Sequence, residues 1–218
     1  MGSKEIWDKV RDGFDAELQL SKYSAHNVKY GIRRFVYCLS RYKFVSKLLQ
    51  GKDSCLELGC NDGFNTLVLA DVVQSVTGVD FDVDSISYAN KKLATESIRF
   101  IHRDIFDIGK IGTFGAVVSM DVIEHIEAQR EDEFMEVMCA NLDKHGIGIV
   151  GTPNIAASQY QSRASEIGHV NMYDHERLRK LMDKYFYNTF LFSANDETVH
   201  TGFYPMAHYF IAVGVSVK

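Results

Sequence analysis

From residue 51 onward, short apolar runs and stretches of helical periodicity take turns along the chain. Residues 55–58, 75–80, 97–102, 114–120, 147–152, 189–194 and 207–215 have the length and composition of strands. The run 114–120, FGAVVSM, is almost continuously apolar, as expected of a strand covered on both faces at the centre of a parallel sheet. Between these runs, residues 64–73, a segment starting near Ser85, residues 128–142 and a segment starting near Asp174 read as helices. Alternation of this kind predicts an α/β domain whose seven strands form a mostly parallel sheet with helices on both faces. Ahead of it, Val28, Ile32, Phe35, Val36, Leu39, Val45, Leu48 and Leu49 mark the buried side of helices within residues 4–50. Residues 155–167 are polar and read as a cover loop.

Composition narrows the picture. A chain of 218 residues with 46% hydrophobic content and only two prolines supports one well-buried domain. We divide it into an N-terminal helical segment or lid, residues 1–50, and a single globular unit, residues 51–218. The net charge of −5 speaks against a nucleic-acid partner. Cys38, Cys55, Cys60 and Cys139 show neither metal-ligand nor disulfide spacing, which suits a reducing compartment. With no apolar run of about 18 residues and no signal peptide, a cytoplasmic protein without a membrane partner is expected.

Charge is unevenly placed. Residues 21–50 hold seven Lys and Arg and no Asp or Glu. One reading is a solvated basic face. The other is a lid in which Tyr23, Tyr30, Arg33 and Arg34 meet an anionic acceptor.

The stretch 54–65, SCLELGCNDGFN, runs from a strand through glycines toward a helix, a geometry that lets a ligand reach backbone amides. Here Glu57, Gly59 and Gly63 resemble the first motif of class I S-adenosylmethionine-dependent methyltransferases, with Asn61 where a middle glycine usually stands. Asn tolerates positive φ. The glycine spacing does not fit the dinucleotide fingerprint of dehydrogenases. Asp80 ends the second strand, 21 residues beyond Gly59, where a carboxylate accepts from ribose hydroxyls. Asp104 and Ile105 match positions that receive the adenine. The string 121–126, DVIEHI, resembles the fourth motif of the group typified by the ubiquinone-biosynthesis O-methyltransferases. Thr152-Pro153-Asn154 and the segment 168–173, GHVNMY, resemble further segments of that family. The resemblance covers roughly residues 50–215. It implies a Rossmann-like fold with an antiparallel last strand and S-adenosyl-L-methionine held by Glu57, Gly59, Cys60, Asn61, Gly63, Asp80, Phe81, Asp104, Ile105 and Met120.

The same resemblance implies methyl transfer to a small-molecule acceptor. A hydroxyl acceptor needs a base, and histidine suits that task near neutral pH. His169 and His125 are the candidates, with Asp121 beside them, and Asn154, Tyr173 and Tyr204 join the expected acceptor contacts. No metal is expected, although Asp121 with Asn154 and a further carboxylate could hold one. The acceptor we expect is a hydroxylated, phosphorylated or sugar-linked metabolite, as in bacterial surface-glycan pathways. N-methylation of a small metabolite, a catalytically silent binding subunit and a nicotinamide-dependent dehydrogenase are the alternatives.

Overall fold

The computed structural model describes residues 2–14 and 17–218. Its centre is a sheet of eight strands: β1 (Ser54–Leu58), β2 (Ser75–Asp80), β3 (Ile98–His102), β4 (Phe114–Met120), β5 (Leu142–Pro153), β6 (Phe186–Asn195), β7 (Thr198–His200) and β8 (Tyr209–Val217). The order across the sheet is β3-β2-β1-β4-β5-β8-β6-β7. Strands β1 to β5 are mutually parallel, and β8 inserts antiparallel between β5 and β6. The expected seven strands and antiparallel last strand are present. The eighth, β7, is a three-residue strand folded back on β6, too short to show a period in the sequence.

Helices α1 (Ser3–Arg11), α2 (Lys22–Tyr30) and α3 (Ile32–Leu49) precede the sheet, and residues 15 and 16 of this segment lie outside the described residues. Next come α4 (Thr66–Ala70), α5 (Val83–Lys92), α6 (Glu131–Ala140), α7 (Arg163–Gly168) and α8 (His175–Tyr185). The helix expected over 64–73 is confined to α4. The Phe64 N–H donates to Asp62 Oδ1 at 3.2 Å, and this local side-chain turn competes with an earlier helix start. Strand β5 begins at Leu142 rather than Ile147, because its register with β4 jumps between Leu142 and Ile147 and the intervening residues bulge out.

Period-two alternation sends side chains of the central strands to two cores. Leu56, Leu58, Val117 and Val150 pack with Phe134, Met135 and Met138 of α6 and Leu178, Leu181 and Met182 of α8. Cys55, Ala116, Val118 and Ile149 pack with Tyr42, Val45 and Leu49 of α3 and Leu69 of α4. The C-terminal half of α3 is therefore part of the sheet's own core. All four cysteines are free. Among the described residues, no helix is long and apolar enough to cross a membrane.

Because β1 is flanked by β2 on one side and β4 on the other, chain connections diverge at its carboxyl end. Open α/β sheets bind ligands at such a switch point.

Packing across β5 and β8 is tight enough to test. A Cβ added at Gly214 would lie 2.3 Å from the Phe186 ring, and one at the paired Gly148 2.4 Å from it. Gly214→Ala should cost about 1–3 kcal/mol of stability, read from urea unfolding, and Phe186→Leu in the same background should restore part of it. An unchanged midpoint would contradict this packing.

Candidate active site

A cavity of about 900 Å³ lies over the carboxyl ends of β1, β2 and β4, bounded on the other side by α2, α3 and residues 157–165. Its base is the loop after β1. Gly59 has φ +80°, and a Cβ there would come within 2.3 Å of Val122 Cγ2. Only glycine combines that dihedral with that approach. The amides of Gly59 and Cys60 both donate to the Val79 carbonyl, at 2.8 and 3.1 Å, binding the loop to β2.

Asn61 takes φ +50°, as its position in the loop predicts. Its Oδ1 accepts from the Asp62 N–H at 2.6 Å, so the extra side chain is turned back onto the loop. The carboxylate of Asp80 is nearly buried and borders the cavity. Its Oδ2 accepts from the Asn61 N–H at 2.8 Å and its Oδ1 from the Asp82 N–H at 2.9 Å. These two bonds fix the carboxylate's orientation. Each oxygen has a second lone pair with which to meet a ligand hydroxyl.

Glu57 stands beneath this loop with no exposed surface and does not line the cavity. It accepts from Tyr42 Oη at 2.8 Å and from Thr66 Oγ1 at 2.5 Å, tying α3 and α4 to β1. Burial pushes its carboxyl up to about 7, against the lowering effect of those two hydroxyls. Asp62 makes a second tie. Its Oδ2 accepts from the hydroxyls of Ser21 and Ser24 at the start of α2.

The opposite wall comes from α2 and α3. Tyr23, Arg34, Cys38 and Arg41 line the cavity, the last three at helical spacings of four and three residues that share one face. Arg41 is 8% exposed, with its guanidinium 3.7 Å from the Tyr209 ring centre and Nη1 3.9 Å from Asp121 Oδ1. Burial, then the charge of Asp121, push the Cys38 thiol up to about 11, which leaves it protonated.

Between these walls, Asp121 adopts φ +58° after β4 and its N–H donates to the Gly151 carbonyl at 3.0 Å. His125 Nδ1 bonds the Gly168 carbonyl at 2.8 Å; since that partner only accepts, Nδ1 carries the hydrogen. The rings of His125 and His169 meet edge to face at 4.9 Å. Burial, then the neighbouring His125, lower the pKa of His169. Burial, then Asp121, raise Glu124 well above the ordinary carboxylate range.

Cys60, Asn61, Gly59, Asp80, Phe81, Ile105 and Met120, all expected at the cofactor, line this cavity, as do Asp121, His125, His169, Tyr23, Arg34 and Asn154. Others stand apart. Glu57 and Gly63 lie behind the loop. Asp104 does not border the cavity; its Oδ1 caps the following turn by accepting from the Phe106 N–H at 2.9 Å. Asn154 has both amide hydrogens engaged by the Tyr204 and Ala207 carbonyls, so it pins loops and has no donor left. Tyr173 is fully buried away from the cavity, with its hydroxyl donating to Glu131 at 2.7 Å and its ring under Arg177. Tyr204 stacks on His175 and also lies outside. Arg33 and Tyr30 are exposed and outside as well, since a helix turns adjacent residues about 100° apart and α3 presents Arg34 instead. Of the stretch between the last long strands, Asp196 and His208 reach the cavity. Arg41 and Tyr209 were not singled out from sequence; the seven-residue spacing of Arg41 from Arg34 was the available signal.

Residues 55–146 match the family model described as a methyltransferase domain. An uncharacterized methyltransferase of Mycobacterium tuberculosis is 37% identical over 82 residues, 37% of this chain and 41% of that protein. A probable S-adenosylmethionine-dependent methyltransferase of Mycolicibacterium smegmatis is 28% identical over 114 residues, 52% of this chain and 42% of that one. The chain thus spans about two fifths of the length of these curated relatives. Among solved structures, the plantazolicin methyltransferase BpumL, in complex with a monoazolic analogue and S-adenosylhomocysteine, aligns with TM-score 0.68 at 15% identity, over 90% of this chain and 89% of that one. The N-methyltransferase NodS of Bradyrhizobium japonicum with S-adenosylhomocysteine aligns with TM-score 0.61 at 18% identity, over 84% and 86%. These two likenesses establish the fold.

The buried carboxyl offers a test. Its folded-state pKa of about 7 stands above the ordinary 4.5, so Glu57 favours the folded chain below about pH 4.5 and loses that contribution as pH rises through about 7. Glu57→Gln keeps an acceptor and a donor for the two hydroxyls and removes the titration. Between about pH 5 and pH 7.5 the wild-type Tm should fall relative to the variant's. Parallel Tm curves would contradict the assignment.

Proposed function

We propose that this chain, whose residues 55–146 match a methyltransferase-domain model, is a class I S-adenosylmethionine-dependent methyltransferase whose cavity holds S-adenosyl-L-methionine and serves methyl transfer to a small-molecule acceptor. The observation that carries this reading is the joint placement of the bare backbone at Gly59, the oriented carboxylate of Asp80 and the apolar Ile105 around one cavity. That set fits an adenosyl ligand: Asp80 meets ribose hydroxyls, Ile105 and the exposed Phe81 ring flank the base, and Met120 and Gly59 border the amino-acid part. When bound, S-adenosylmethionine supplies a methyl group already activated by a sulfonium.

The protein's own part is positional. It must bring an acceptor atom to about 3–3.5 Å from the methyl carbon and exclude water. Residues 157–165 and α2 close the cavity from outside. Asp121, at the cavity edge, suits a neighbouring cation. Hydroxyl deprotonation falls to the His125–His169 pair, with Asp121 beside it. O-methylation is the reading these histidines favour.

Arg34, Arg41 and Tyr23 form the acceptor wall. The guanidinium groups of the exposed Arg34 and the buried Arg41 favour an anionic acceptor, because bidentate charge-assisted bonds to phosphate or carboxylate are the strongest available to them. The acceptor class we assign is a hydroxylated metabolite carrying a phosphoryl or sugar-phosphate portion, as surface-glycan precursors do. Helix α2 and the N-terminal half of α3 act as its lid, with α2 latched to the cofactor loop through Asp62.

Calorimetry with S-adenosylhomocysteine should show one binding site per chain. Asp80→Ala should weaken it about 10–100-fold, the worth of charged hydrogen bonds to ribose. Arg34→Glu should leave that affinity unchanged and raise KM for the acceptor. His169→Ala should leave it unchanged too and lower kcat by about 10²–10⁴-fold. Absence of heat from S-adenosylhomocysteine would end the proposal.

A further inference from the structure

On the acceptor side of the cavity, three side chains converge that the mechanism above uses only in part. The ligating atoms of Glu124, His125 and His169 all lie within 4.8 Å of one another. We propose that these three residues form a binding site for one divalent cation of the first transition row.

Glu124 has no exposed surface. Its Oε2 accepts from Thr152 Oγ1 at 3.2 Å, whereas Oε1 is buried with no hydrogen-bond partner. Leaving a buried carboxylate oxygen unpaired is costly, and proteins do so where something else meets it. His169 Nδ1 is likewise buried without a partner. His125 donates from Nδ1 to the Gly168 carbonyl, which leaves the lone pair on Nε2. A ligating histidine characteristically uses its other ring nitrogen in this way, for a backbone carbonyl or carboxylate.

The backbone holds the three in register. Glu124 and His125 share one short turn after β4, and the Glu124 carbonyl accepts from the N–H groups of Val170 and Asn171 at 2.9 and 3.0 Å. That pair of bonds places His169 opposite Glu124. With bonds of about 2.1 Å to nitrogen and oxygen, neighbouring ligands on a tetrahedral or octahedral ion lie about 3.0–3.4 Å apart, so modest side-chain rotation closes the triangle around an ion.

Two imidazoles and one carboxylate select Mn²⁺, Fe²⁺, Co²⁺ or Zn²⁺ over Mg²⁺ and Ca²⁺, which prefer all-oxygen shells. Three protein ligands leave positions open. The inference rests on the methyl-transfer reading and deepens it: the histidine pair acts on the acceptor hydroxyl through a shared ion. The acceptor oxygen occupies an open position, its O–H bond is polarised, the electron pair stays on oxygen and the proton leaves to solvent water.

The test uses full-length protein freed of metal with EDTA and titrated with Mn²⁺, then Zn²⁺. One saturable site per chain is expected. Glu124→Gln and His169→Ala should each weaken it at least about tenfold. Should either variant fail to fold, Mn²⁺ added to nitrogen-labelled wild-type protein should broaden the ring resonances of His125 and His169 ahead of those of His26, His102 and His145. No saturable binding, affinity unchanged in both variants, or uniform broadening of all histidines would overturn the site. S-adenosylhomocysteine calorimetry on the metal-free chain separates the two readings. Retained heat with no cation site removes this inference alone, whereas absent heat removes the methyl-transfer reading itself.

Discussion

A carboxyl group with no access to water joins three elements of this molecule. Glu57 takes a hydroxyl from Tyr42 on α3 and another from Thr66 on α4, so the helix that walls the cavity and the helix that follows the glycine loop are referred to one point on β1. Burying an acid is unfavourable unless it is hydrogen-bonded, and here both oxygens are satisfied. The consequence reaches beyond stability. With Tyr42 held, the face of α3 bearing Arg34, Cys38 and Arg41 is aimed over the sheet edge. With Thr66 held, the glycine loop is fixed at its far end. The α3 wall of the cavity and the glycine loop at its base are thus set relative to each other by one buried side chain.

The site divides by charge along the sheet edge. Toward β2, Asp80 is committed to backbone amides that orient it. Toward β4, Asp121, Glu124 and the two histidines gather in a strained, partly dry corner, with Asp121 in the left-handed region. Arginines stand on the far wall. The proposed cationic methyl donor between carboxylates and the proposed anionic acceptor opposite use each sign of charge where it already lies.

Much of this was legible from sequence because strand ends obey local rules. The apolar runs announced the sheet, and the residues just after them, Gly59, Asn61, Asp80, Ile105, Met120, Asp121 and His125, all reach the cavity. Position in a motif was less informative where packing decides which way a side chain turns. Asp104 caps a turn, Asn154 pins two carbonyls, and Tyr173 and Tyr204 face the core. Arg41, Tyr209 and the Ser21–Asp62 contact depend on helices folding back over the sheet, which no local spacing reveals. The convergence of Glu124 with His169 depends on a backbone pairing between residues 124 and 170–171 that is invisible in one sequence. Strand β7 was missed for want of length.

In the proposed complex the carboxyl ends of β1, β2 and β4 hold one adenosyl ligand against a wall supplied by α3. A crystal structure of the protein with S-adenosylhomocysteine tests this most directly. The expected complex has ribose hydroxyls on Asp80, the base beside Ile105, and the sulfur directed toward the space shared by Asp121, His169 and Arg41. Density for the ligand elsewhere on the molecule, or a ribose that leaves Asp80 untouched, would contradict it.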